Sequence, residues 1–146
     1  MTARRILLAE DNPNDVELTL AALSRHGIAN QIDIARDGAE ALDYLYRRGA
    51  FADRPSVDPV LLLLDLKMPR VDGLEVLRAV KSDSRLKTIP VVVLTSSREG
   101  PDIATSYQLG VNAYVVKPVQ FDEFVDAVSQ LGLFWLLVNE PPVAGS

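Results

Sequence analysis

The sequence predicts a doubly wound α/β fold: a five-stranded parallel sheet with five helices, filling one domain. Three observations carry that reading. Four short runs, Ile6 to Ala9, Val60 to Leu64, Val91 to Leu94 and Ala113 to Val116, are apolar without polar alternation, as strands covered on both faces require. Between these runs the apolar residues fall at helical spacing, so strand and helix alternate along the chain. A length of 146 residues with 48 % apolar residues suits one packed domain of this class. The strand order 2-1-3-4-5 is one of the two common arrangements of such a sheet.

The elements follow in order. After the first strand, a helix from Asn14 to Arg25 carries Val16, Leu18, Leu20 and Leu23. His26 and Gly27 close it, a basic residue meeting the helix dipole and a glycine capping the end. Gln31 to Ala35 alternates more than the other runs and suits a sheet edge. Ala41, Leu42 and Leu45 mark the second helix. Gly49 to Pro59 is a long polar connection in which Pro55 and Pro59 stop any helix. Leu74, Val76, Leu77 and Val80 mark the third helix, and Ile103, Tyr107 and Leu109 a shorter fourth. Phe121, Phe124, Val125, Val128 and Leu131 give the fifth an i, i+3, i+4, i+7 face. Residues 1–131 make the folded domain. Residues 132–146 hold the very apolar stretch Leu133 to Val138, then Pro141-Pro142 and a loose tail.

Composition excludes several chemistries. There is no cysteine, which removes disulfides, thiolate nucleophiles and Cys-based zinc sites. His26 is the one histidine, and its capping position takes it out of Ser-His-Asp catalysis. A net charge of −5 with no basic run argues against direct contact with nucleic acid, which needs a positive face. The early Arg4-Arg5 pair precedes a strand-like run rather than a signal peptide, and no apolar run is long enough to span a bilayer. The expected setting is the cytoplasm.

In a parallel α/β sheet, ligands bind outside the carboxyl ends of the strands. Glu10 and Asp11 follow the first strand, Asp65 the third, Thr95 and Ser96 the fourth, and Lys117-Pro118 the fifth. Three carboxylates on one rim repel one another unless a cation is present. Oxygen-only ligands select a hard cation, and Mg²⁺ suits a phosphate-handling site. Lys117 is one ammonium against three carboxylates, so it is better placed on a phosphoryl oxygen, together with the Thr95 hydroxyl. The reaction implied is in-line attack of the Asp65 carboxylate on phosphorus. Each piece has an ordinary reading as well. A Glu-Asp pair after a strand often only starts a helix, although Asn12 or Asn14 can serve as the cap here. Lys-Pro is usually a turn.

Taken in order, these residues resemble the response-regulator receiver domain of two-component signalling. Glu10-Asp11, Asp65 in Leu-Leu-Asp-Leu-Lys-Met-Pro-Arg-Val-Asp-Gly, Thr95 in Val-Val-Val-Leu-Thr-Ser, and Lys117-Pro118 carry the resemblance, which covers residues 4 to about 131. It implies a flavodoxin-like, CheY-like fold with Asp65 as phosphoacceptor. It implies that Asp11 and Asp65 bind Mg²⁺ directly, with Glu10 acting through water and the backbone carbonyl of Lys67 completing the protein ligands. Thr95 and Lys117 would contact the phosphoryl group, across a cis Lys117-Pro118 bond. Tyr114 matches the family's switch aromatic, which moves as Thr95 turns toward the phosphate; the ordinary reading is a half-buried strand aromatic. Gly73 matches a loop glycine, or a plain turn glycine. The stretch Asp11-Asn12-Pro13-Asn14-Asp15, the connection at 49–59 and Phe134-Trp135-Leu136 resemble the short response regulators that partner phytochrome-type histidine kinases. Val138-Asn139-Glu140-Pro141 departs from the more apolar ending of that group. Lys67 and Ser97 flank the path of the hydrolytic water in the family, and Lys67 stands where Asn is frequent.

With no output domain recognisable after the receiver, the expected readout is a surface change sensed by another protein, or a phosphoryl group passed to a phosphotransfer protein. The run at 133–138 suggests homodimerisation; the ordinary alternative is that it caps the core. Two rivals are a Mg²⁺-dependent phosphohydrolase with an aspartyl nucleophile and a pseudo-receiver binding module. Lys67 occupies the position where such hydrolases carry a general acid, so turnover on outside substrates is not expected. The intact set Asp11, Asp65, Thr95 and Lys117 disfavours the second rival.

Overall fold

Uninterrupted apolar runs favour the interior, and three of the four form the middle of one sheet. The fourth, Ala113–Val116, departs from the expected two-sided cover, since it forms an edge and is only partly buried. The computed structural model describes residues 5–24, 31–54, 58–96 and 105–132. The strands are β1 (Arg5–Ala9), β2 (Gln31–Ala35), β3 (Leu61–Asp65), β4 (Val91–Thr95) and β5 (Ala113–Val116). The helices are α1 (Pro13–Ser24), α2 (Gly38–Tyr46), α3 (Gly73–Ser82) and α5 (Phe121–Gln130), with α4 helical over 105–108. All strand pairs are parallel and the order is β2-β1-β3-β4-β5. This is the flavodoxin-like, CheY-like arrangement, with the alternating Gln31–Ala35 strand at an edge.

Side chains along a strand alternate between faces, and the core divides accordingly. Leu7, Ala9, Leu62, Leu64, Val91 and Val93 join Ala41, Tyr44, Leu45, Val76, Leu77 and Val80 on the α2–α3 side. Ile6, Leu8, Leu61, Leu63, Val92 and Leu94 join Val16, Leu23, Phe124 and Val128 on the α1–α5 side. Each Val, Leu, Ile or Phe among them gains about 1.5–3 kcal/mol on burial. That outweighs the polar groups the strand ends carry into the interior.

Local chemistry sets the helix starts. Asn12 caps α1: its Oδ1 accepts from the backbone N–H of Asn14 at 2.9 Å and of Asp15 at 3.3 Å. Asp37 caps α2 and Asp72 caps α3, each accepting from the third residue on. Two apolar positions depart from the expected inward faces. Leu18 is 53 % exposed and Tyr107 is 48 % exposed, and Thr19 takes the buried place on α1 instead. Among its described residues, the 49–59 connection holds a 3-10 turn, Gly49–Phe51. His26-Gly27, Pro55, Ser97, Ile103 and the 133–146 segment lie outside the described residues. Among the described residues no helix is long and apolar enough to cross a membrane.

Candidate functional site

The strand order reverses direction between β1 and β3, and the crevice at that switch point is where such sheets bind ligands. Register brings the strand ends level there: Ala9 pairs with Leu64, Asp65 with Leu94 and Thr95 with Val116. Glu10 comes directly after β1, its N–H donating to the Ala35 carbonyl at 2.9 Å. Glu10 is fully buried; its Oε1 accepts from the Asn12 N–H at 3.1 Å and its Oε2 from Lys117 Nζ at 3.0 Å. Asp11, next in the chain, is exposed.

Asp65 ends β3 and is 4 % exposed. The chain behind it is held close: the Gly73 N–H donates to the Leu66 carbonyl at 2.8 Å. A Cβ on Gly73 would lie 2.2 Å from the Asp65 carbonyl oxygen, so this glycine is needed for space and not merely for a turn. The Lys67 N–H approaches Asp65 Oδ1 at 3.4 Å. Thr95 ends β4, buried, and its carbonyl accepts from the Lys117 N–H at 2.7 Å. The Lys117-Pro118 bond is cis.

Carboxylate oxygens of Glu10, Asp11 and Asp65 all lie within 4.8 Å of one another. The set is oxygen-only, so these residues fit a hard divalent cation. Burial pushes the Glu10 carboxyl up to about 7; the neighbouring Asp65 charge adds to this, and the Lys117 hydrogen bond opposes it.

Lys117 takes a partner that the sequence did not assign to it. Its side chain is 10 % exposed and meets three carboxylates: Asp15 at 2.9 Å, Glu10 at 3.0 Å and Asp65 at 3.4 Å. The reason is geometric: an ammonium has three donors, and the first turn of α1 brings Asp15 to the same rim. Burial acts to lower the Lys117 pKa, yet the hydrogen bonds to Asp15 and Glu10 and the Asp65 charge raise it overall. Asp15 is the rim residue that sequence reasoning missed. Its signal was its place in the first turn of α1, three residues after the Asn12 cap that follows Glu10-Asp11.

A second missed feature joins the loops around the site. Arg70, at φ 67°, donates to both carboxylate oxygens of Asp37, at 2.8 and 3.0 Å. No local pattern links residues 33 apart in sequence. Tyr114 is 38 % exposed and stacks edge-on against Tyr107, with ring centroids 6.1 Å apart. Val93 pairs with Tyr114 and Thr95 with Val116, so Thr95 and Tyr114 point to the same face of the sheet.

Comparison with known proteins agrees with this geometry. The response regulator receiver domain family matches residues 6–129. The structure of the bacteriophytochrome response regulator AtBRR is similar with a TM-score of 0.87 and 58 % identity, covering 96 % of this chain and 100 % of that one. RtBRR, also a bacteriophytochrome response regulator, has a TM-score of 0.87 and 55 % identity, covering 97 % of this chain and 86 % of its own. Response regulator Rcp1 of Synechocystis sp. is 39 % identical over 139 residues, 95 % of this chain and 93 % of that protein. The Mn²⁺-bound form of Rcp1 has a TM-score of 0.76 and 38 % identity, covering 96 % of this chain and 99 % of that one. The chain belongs to the response-regulator receiver-domain family of two-component signalling.

Proposed function

We propose that this receiver domain accepts a phosphoryl group on Asp65 from a sensor histidine kinase of the phytochrome type, in a Mg²⁺-dependent reaction. The observation that carries the reading is the convergence of Asp65 with Glu10, Asp11 and Lys117 at the switch point of the sheet. An Asp65 oxygen attacks phosphorus in line; the bond from phosphorus to the donor nitrogen breaks and its electron pair leaves with the imidazole. Lys117 faces the charge on the transferring group, and Thr95, one residue beyond the Leu94 that pairs with Asp65, supplies a hydroxyl to join it. Glu10, Asp11 and Asp65, with the Lys67 carbonyl, would hold the cation. When bound, Mg²⁺ supplies charge neutralisation at the phosphoryl oxygens. The similarity to AtBRR, RtBRR and Rcp1 supports both the phytochrome-type partner and a divalent metal.

Signalling would run through Thr95 and Tyr114 to the face formed by α4, β5 and α5, where an open groove of about 360 Å³ is lined by Tyr107, Tyr114, Glu123 and Asp126. The reader of that face is a downstream protein or a phosphotransfer protein, and the setting is cytoplasmic. Lys67 leaves no general acid two residues after Asp65, so turnover of outside substrates is not expected.

Incubation with acetyl phosphate and Mg²⁺, followed by intact mass measurement, should give one acid-labile phosphoryl adduct that Asp65→Asn abolishes. Lack of an adduct on the wild type would favour a pseudo-receiver, and rapid turnover of unrelated phosphate esters a hydrolase. Homodimerisation through 133–138 is part of the same reading. Light scattering on a chain ending at Leu131 should then report a monomer where the full chain is a dimer, and an unchanged state would count against it.

A further inference from the structure

We propose that Asp15 is a positioning residue for phosphoryl transfer: from the first turn of α1 its carboxylate holds the Lys117 ammonium against the acceptor Asp65. The inference rests on reading Asp65 as the phosphoacceptor.

Lys117 reaches the rim on a long side chain, and unrestrained it would sample many rotamers. Its three donors meet Asp15, Glu10 and Asp65 at 2.9, 3.0 and 3.4 Å. The contact with Asp65 is the longest, so that donor is the one best placed to turn to a phosphoryl oxygen. Glu10 is shared, because its carboxylate also belongs to the three-carboxylate group that fits a cation. Asp15 lies outside that group, so its hold on Lys117 does not compete with the metal. The Asp15 backbone is itself fixed, its N–H donating to the Asn12 cap at 3.3 Å, which leaves the side chain free of any capping role. Asp15 and Lys117 are 102 residues apart in sequence, so the ion pair also ties the start of α1 to the end of β5. Holding an ammonium where charge develops saves the cost of ordering it during reaction. The other role open to Asp15 is an acidic first-turn residue favouring the α1 dipole, and that role has no dependence on Lys117.

The test compares adduct formation from acetyl phosphate and Mg²⁺ in the wild type, Asp15→Ala, Asp15→Glu, Lys117→Met and the Asp15→Ala, Lys117→Met double variant. A second measurement follows the ¹⁵N-edited ammonium signal of Lys117 in metal-free protein. Asp15→Ala should slow adduct formation, by up to about 10²-fold for a group misplaced by an ångström. Asp15→Glu, which keeps the carboxylate, should stay nearer the wild type, and the double variant should be no slower than Lys117→Met. The slowly exchanging Lys117 ammonium signal should disappear in Asp15→Ala. A wild-type rate in Asp15→Ala, or effects that multiply in the double variant, would overturn the proposal. A wild type without any adduct would remove the acceptor reading instead. The ammonium signal would still judge the Asp15 contact, and its persistence in Asp15→Ala would refute that contact.

Discussion

The Asp37–Arg70 pair illustrates how one residue serves two purposes at the rim. Asp37 caps α2 through the Glu40 N–H at 2.8 Å and also receives the Arg70 guanidinium. The hydrogen bond from Arg70 is the main cause that holds the Asp37 carboxyl below its ordinary value, with burial opposing and the Glu40 N–H assisting. A depressed folded-state pKa means the unfolded chain binds the proton more readily. The stabilisation is therefore complete above the ordinary aspartate value and is lost as the pH falls through the lowered one. Asp37→Asn keeps a good cap but removes the charge. Urea midpoints should differ between wild type and Asp37→Asn by a constant amount at neutral pH. The gap should begin to narrow below about pH 3.9 and close once the pH has fallen through the lowered Asp37 value. A gap that persists in acid would mean that the charge is not its source.

At the scale of elements, close approach decides more than periodicity. Gly38 opens α2 beneath the loop that follows Asp65, where an added Cβ would lie 1.7 Å from the Val71 carbonyl oxygen. Its backbone must shift to admit any side chain. Gly38→Ala should therefore cost about 1–3 kcal/mol, the usual range for overpacking, measured by urea unfolding; a variant as stable as wild type would show that the loop yields freely. The helical faces were only partly legible. For α3 and α5 the expected residues Val76, Leu77, Val80, Phe124 and Val128 are buried. On α1 the count of apolar residues misled, because Leu18 lies nearly on the opposite side of the helix from the Val16 and Leu23 stripe. Periodicity says which residues share a face, and only packing says where that face ends.

Across the whole molecule, five segments of chain must meet before the site is complete: the ends of β1, β3, β4 and β5 and the first turn of α1. A cation bound by Glu10, Asp11 and Asp65 would find that trio only in the folded state, so binding should stabilise the fold by mass action. With free Mg²⁺ at a hundred times its dissociation constant, the gain is about 2.7 kcal/mol. Thermal melts with excess MgCl₂ and with EDTA should separate accordingly, and Asp11→Asn should shrink the difference; coincident melts would argue against the cation site. Asp11 suits this test because it is exposed, so its substitution leaves the core packing untouched.

Buried parallel strands have to be apolar on both faces, and ligands gather at their carboxyl ends. Those two rules made the sheet, its five strands and the rim residues Glu10, Asp11, Asp65, Thr95 and Lys117 readable from the sequence alone. Strand order remained a choice between common solutions until pairing settled it as β2-β1-β3-β4-β5. What tertiary structure alone decided was how charges on that rim share partners. Asp15 joins Lys117 across 102 residues and Arg70 joins Asp37 across 33. Local pattern reports on neighbours within a few residues, whereas an ion pair forms wherever folding brings two charged side chains within about 4 Å.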